Sequence, residues 1–161
     1  DLWKAQKLEH QISFLKEKQK MDSKAGFVFG PCEIINEDGI SKGKIRKAKA
    51  QIDYKELLKD NGISCVSVMV DQTVIPKTLC FMPCIGHEDY ATWLTILKNK
   101  YTAYGMEEVL CYYRISQNSI SGNKKKAATW HYQVLKAQGI SGFRLVYYMI
   151  CYIYAAIEKR M

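Results

Sequence analysis

Helical and strand periodicities alternate along this chain of 161 residues, and that alternation is the tightest limit on what it can fold into. A helix repeats its buried face every 3.6 residues and a strand every second residue, so one stretch cannot serve as both. Residues 2–20 carry Leu8, Ile12 and Leu15 at helical spacing among lysines, Glu9 and Glu17, the pattern of an amphipathic helix. Ala25 to Ile35 is rich in β-forming residues and runs into the turn Asn36-Glu37-Asp38-Gly39, which predicts a strand and then a hairpin. Asp53 to Lys59 reads as a short helix broken by Asn61-Gly62, and Ser64 to Val70 alternates as a strand with Val66, Val68 and Val70 on one side. Beyond Pro76 and Pro83, Tyr90, Trp93, Leu94 and Leu97 mark one buried face of a helix opened by Glu88-Asp89. A strand over Val109 to Ile115 follows, then a polar loop to Gly122. Two helices close the chain, from about 124 to 137 and from about 141 to 159.

The length suits one domain with a real core, and 48% apolar with 25% charged residues is ordinary for a globular protein. The net charge of +8 favours anionic partners: nucleotide phosphates, nucleic acid or acidic lipid headgroups. The six cysteines show no Cys-x-x-Cys spacing, and most lie in apolar runs, so they read as buried, reduced thiols. Cys80, Cys84 and His87 have no fourth ligand at a usual spacing, which argues against zinc. The chain begins with Asp1 and enters a helical pattern at once, as expected of a piece of a longer protein. In the last helix the apolar stretch Leu145 to Ile157 is thirteen residues, short of the roughly 20 that span a bilayer. Its tyrosines and the flanking Arg144, Lys159 and Arg160 suit either a helix packed on the domain or one lying at a membrane interface.

Glu88-Asp89 is the strongest candidate for chemistry. Acidic residues in the first turn of a helix ordinarily complement its dipole and its free N–H groups. The functional alternative is a carboxylate held rigidly at the mouth of a site as general base, its pKa expected to be lowered by the helix N-terminus. Tyr112-Tyr113-Arg114, followed by Asn118-Ser119-Ile120-Ser121, offers a cation and hydroxyls to a diphosphate, or equally a solvated strand end and a serine cap. The lysine tracts read mainly as solvated faces: Lys42 to Lys49, with five cations in eight residues, and Lys124-Lys125-Lys126. His87, beside the acidic pair, is the one histidine of interest. No Gly-rich phosphate loop, Ser-His-Asp set or His-Glu-x-x-His is present.

Four segments in order resemble the family-two glycosyltransferases of GT-A fold. Leu2-Trp3 with Lys7-Leu8 and Gln11 is similar to that family's Asp-Asp-x-Trp-x-x-x-Lys-Leu-x-x-Gln stretch. Glu33 to Gly39 resembles its central strand and turn, Glu88-Asp89-Tyr90-x-x-Trp93-Leu94 its Glu-Asp motif, and Tyr113-Arg114 with Ser119, Ser121, Asn123 and Lys124 the segment after it. The resemblance implies an α/β fold, a partial GT-A (nucleotide-diphospho-sugar transferase) domain with a mixed sheet flanked by helices and a C-terminal helical tail. Residues 1–122 would be its acceptor-side half and 123–161 a helical extension, possible ground for peripheral membrane contact.

The implied activity is inverting transfer of a sugar from a nucleotide-sugar donor to a hydroxyl of a glycan or lipid-linked acceptor, in bacterial surface polysaccharide synthesis at the cytoplasmic face of the membrane. Asp89 would be the base and Glu88 would orient the acceptor. Arg114, Ser119, Ser121 and Trp3 would serve substrate and diphosphate. A divalent cation, Mg or Mn, would sit in an Asp-x-Asp motif whose end aligns with Asp1. The grip on the nucleotide and most of the metal site are thus expected upstream, leaving this chain alone incomplete and inactive. Where many members place a histidine two residues after the arginine, this chain has Ser116. The competing reading is a basic, non-catalytic interaction module for nucleic acid or an acidic membrane surface. No nucleic-acid-binding signature supports it, and no nucleic-acid partner is expected. A third is a degenerate relative serving as a scaffold.

Overall fold

The computed structural model of the chain describes residues 1–116 and 124–158. Two mixed, four-stranded sheets are flanked by helices, the α/β arrangement expected. Strands β1 (Leu2–Trp3), β3 (Cys32–Ile35), β4 (Ser41–Arg46) and β8 (Cys111–Arg114) form one sheet in the order β1-β8-β3-β4. Strands β2 (Phe27–Phe29), β5 (Gln51–Ile52), β6 (Met69–Val70) and β7 (Ala103–Gly105) form the other in the order β5-β7-β2-β6. The single strand expected over Ala25 to Ile35 is therefore two, broken at Gly30-Pro31, where proline has no N–H for a ladder. The partner run breaks alongside it. β2 pairs in parallel with β7, and β3 in parallel with β8, so the same two runs of chain lie together in both sheets.

Among the described residues there are five α-helices: α1 (Lys7–Met21), α2 (Tyr54–Lys59), α3 (Glu88–Lys98), α4 (Lys124–Ala137) and α5 (Gly142–Glu158). The helix expected from residue 2 starts at Lys7, because Leu2 and Trp3 pair with Tyr112 and Cys111 at the edge of the first sheet. The strand expected over Ser64 to Val70 is a 3-10 turn at Cys65–Ser67 followed by the short β6. Distant side chains fix that turn. Gln11 Nε2 donates to the Ser67 carbonyl at 2.7 Å, and Trp3 Nε1 donates to the Val66 carbonyl at 2.8 Å.

The main core gathers Phe27 and Phe29 of β2, Leu57 and Leu58 of α2, and Leu94 and Ile96 of α3, all fully buried. Val134 and Leu135 of α4 and Leu145 and Tyr148 of α5 join the same cluster. Of the six cysteines, all free, only Cys32 and Cys111 are buried, which corrects the expectation that the set is interior. These two face one another across β3 and β8, their sulfurs 3.1 Å apart. Cys65 and Cys84 are exposed, because each sits in a turn bordering open space rather than in a strand.

A candidate active-site cleft at the start of α3

α3 is apolar almost throughout its body, and packing rather than capping sets its position. Trp93 packs against Phe27 with ring centroids 5.0 Å apart, and the Tyr90 hydroxyl donates to the Leu57 carbonyl at 3.1 Å. Tyr90 also stacks on His131 of α4 at 4.9 Å, and His131 stacks on Tyr152 of α5 at 4.0 Å. Three helices are thereby locked together directly beneath the first turn of α3. The Thr92 hydroxyl, 2.8 Å from the Glu88 carbonyl and 3.2 Å from that of Phe81, ties the preceding loop to the same turn.

That first turn is irregular where a helix is usually capped. His87 occupies the N-cap with φ 59°, a left-handed conformation uncommon for a residue with a side chain, and makes no side-chain cap. Its buried Nδ1 has no hydrogen-bond partner, and its ring meets Trp130 edge-on at 5.6 Å. Gly86 is required just before it: a Cβ there would lie 2.1 Å from the Trp130 ring. Burial pushes the His87 imidazole below its ordinary value, against the carboxylates of Asp89 and Glu88, which pull it up.

An open cleft of about 1280 Å³ lies in front of this turn. Its lining includes Asp1, Glu88, Asp89 and Arg114, four of the seven residues expected to form the site. Glu88 is exposed, whereas Asp89 is half-buried. Burial raises the Asp89 carboxyl above its ordinary value. The charge of Glu88 adds to the rise, while a 2.6 Å hydrogen bond from the Tyr90 N–H, His87 and Arg46 oppose it. The lowered pKa expected of a helix start is thus reversed, because the loss of water outweighs the helix N-terminus. The same two carboxylates, after burial, help raise the Cys65 thiol on the neighbouring wall.

Arg114 is held from both sides. Its backbone N–H donates to Asp1 Oδ1 at 2.8 Å, and its Nη1 donates to the Asn36 carbonyl at 3.1 Å and to the Glu37 carbonyl. The turn after β3 is therefore pinned to the cleft edge. Trp3 is not among the cleft-lining residues. Its indole supports Val66, which is, and the Lys7 ammonium lies 4.1 Å from its ring centre. Ser119 and Ser121 lie outside the described residues.

Arg46, Trp130 and Tyr152 also line the cleft and had no distinct sequence signal. Arg46 was one cation in a basic tract. Only its position at the end of β4, its guanidinium 5.7 Å from the Tyr113 ring centre, sets it apart from the exposed Lys42 and Lys44. Among the described residues no group of three or more His, Cys, Asp or Glu could hold a metal ion, so Asp1 alone does not make a cation site. The arrangement does supply a half-buried carboxylate with a raised pKa, an exposed carboxylate beside it, and anchored arginines around a space large enough for two substrates.

No protein-family model matches the chain. It is 35% identical over 164 aligned residues to TuaG of Bacillus subtilis (strain 168), named as a teichuronic acid biosynthesis glycosyltransferase, covering 100% of this chain and 62% of that protein. It is 38% identical over 160 residues to WfgD of Escherichia coli, named a UDP-Glc:alpha-D-GlcNAc-diphosphoundecaprenol beta-1,3-glucosyltransferase, covering 99% of this chain and 60% of that protein. WfaP of Escherichia coli, with the same named activity, is 32% identical over 158 residues, 98% of this chain and 58% of its own length. The chain thus spans about three-fifths of the length of these curated relatives. Along that whole span, the chain is similar to proteins named as glycosyltransferases.

Proposed function

We infer that this chain is the acceptor-side part of an inverting, family-two glycosyltransferase of GT-A fold. Its reaction would move a sugar from a nucleotide-sugar donor to a hydroxyl of a lipid-linked acceptor, in the synthesis of a bacterial surface polysaccharide at the inner face of the cell membrane. One observation carries the reading: Asp89, with its carboxyl raised by burial, lines the large cleft beside Glu88 and on the same wall system as Arg114. A carboxylate whose pKa moves toward neutrality accepts a proton in the transition state better than a freely solvated one.

In this mechanism Asp89 takes the proton of the acceptor hydroxyl as its oxygen bonds to the anomeric carbon. The bond from that carbon to the nucleotide diphosphate breaks on the opposite side, and the diphosphate leaves with the electron pair. In-line displacement inverts the centre. Positioning and charge neutralisation supply most of the rate. Glu88 orients the acceptor and Arg114 serves the leaving diphosphate, a role the resemblance also gives to Ser119 and Ser121, with Trp3 supporting the wall. A divalent cation, magnesium or manganese, would neutralise that diphosphate when bound, with Asp1 as the carboxylate this chain offers it.

The test uses a protein carrying this chain at the relatives' full length. Asp89→Asn should lower transfer by about 10²–10⁴-fold, the ordinary worth of a general base, with donor binding near normal. Transfer within a few-fold of wild type would remove Asp89 from the mechanism.

A further inference from the structure

α5 turns more apolar surface to solvent than the fold uses. Phe143, Val146, Ile150, Ile153, Tyr154 and Ile157 are each at least half exposed, Phe143 at 95%. Their spacing places them on one side of the helix. The opposite side holds the buried Leu145 and Tyr148 and then Tyr152 and Ala156, which line the candidate active-site cleft. One helix therefore has an unpartnered apolar face on one side and a cleft wall on the other.

Charge says what covers that face. Residues 124–158 hold five lysines and arginines and a single carboxylate, Glu158. Lys125, Lys126, Lys136 and Arg144 are exposed. A second copy of the chain would bring like charges together, whereas an anionic bilayer surface complements them. A tyrosine-bearing apolar stripe with basic flanks is the composition of a helix lying in the interface plane. Crossing the bilayer is a different matter: no helix among the described residues is long and apolar enough.

We propose that α5 docks this protein flat on an anionic phospholipid bilayer, holding the cleft beside the headgroup layer. The inference deepens the transfer reading, because it says how a lipid-linked acceptor reaches Asp89. A helix is about 10 Å across with its side chains, so a cleft wall on the far side of α5 stands about one helix above the buried stripe. The proposal places the diphosphate of a membrane-held acceptor at that height. The apolar loop before α3 extends the same logic: Met82 and Ile85 are exposed and also line the cleft, giving the lipid end an apolar border.

Flotation with vesicles tests this. The 161-residue chain should float with phosphatidylglycerol–phosphatidylethanolamine vesicles, less with pure phosphatidylcholine, and less as salt rises. Ile150→Glu, and separately Phe143→Ser with Tyr154→Ser, should weaken binding at least about tenfold while far-UV circular dichroism stays unchanged. Four outcomes overturn the proposal: no flotation, equal flotation of the variants, a dimer in sedimentation that the variants disperse, or loss of flotation when the chain is carried in a protein of the relatives' full length. Flotation is read without sugar transfer, so its failure leaves the transfer reading intact, and retained transfer by Asp89→Asn leaves the docking face intact.

Discussion

The starts of α2 and α3 look alike in sequence, each with an aspartate at its first turn, and the structure makes them different objects. Asp53 caps α2 in the ordinary way: its Oδ1 accepts the Glu56 N–H at 2.8 Å, from an extended backbone. Asp89 does no such work. Its hydrogen bond is to the N–H of the very next residue, the cap position before it is a left-handed histidine, and burial raises its carboxyl. A helix that needed only a cap would carry the first arrangement. The second holds a carboxylate against its own preference at the edge of a cleft, which is where a functional site differs from a structural one.

The bodies of the two helices should respond alike, and that isolates the starts. Leu58 of α2 and Leu94 of α3 are both fully buried in one core. Leu58→Ala and Leu94→Ala should each cost about 2–5 kcal/mol in urea unfolding, by lost burial plus the cavity left behind. If only the α3 change were costly, α2 would be a loosely held element and the comparison would fail. Asp53→Ala should cost about 1 kcal/mol in the same measurement, the usual worth of a capping side chain. An unchanged midpoint would mean that Asp53 is no more a cap than Asp89.

Much of this was legible in the sequence. The 3.6-residue period located α3, α4 and α5 to within a residue or two. In α3 and α4 the stripe it reveals is buried, whereas in α5 the regular apolar stripe from Phe143 to Ile157 is exposed and Leu145 and Tyr148 are buried instead. Asp1, Glu88, Asp89 and Arg114, read as site residues by resemblance, line one cleft. What was hidden depends on contacts far apart in the chain. Val66 and Val68 alternate as a strand would, yet Cys65–Ser67 is a turn because Trp3 and Gln11 bind its carbonyls. Those residues, with Lys7 between them, belong to the first of the four resembling segments. Their visible work is to hold one cleft wall: Lys7 and Gln11 are almost wholly buried, and Lys7 Nζ donates to Gln11 Oε1 at 2.6 Å. The short β7 had too few residues to declare a period. The reversed pKa of Asp89 follows from burial by surrounding elements, which the two residues themselves do not encode.

The difference between the two aspartates is tested most directly by the stability of Asp89→Asn across pH, measured by urea unfolding against wild type. A carboxyl whose folded pKa is raised binds its proton more tightly in the native state, so wild-type stability falls as pH rises from the ordinary value of 3.8 through the folded value. The asparagine variant has no such loss. It should therefore match wild type at the acid end and become the more stable protein by neutral pH, the gap opening through the titration of Asp89 and then staying constant. A variant less stable than wild type at neutral pH, with the deficit closing in acid, would make Asp89 a helix-start partner like Asp53 and contradict its assignment as a buried base.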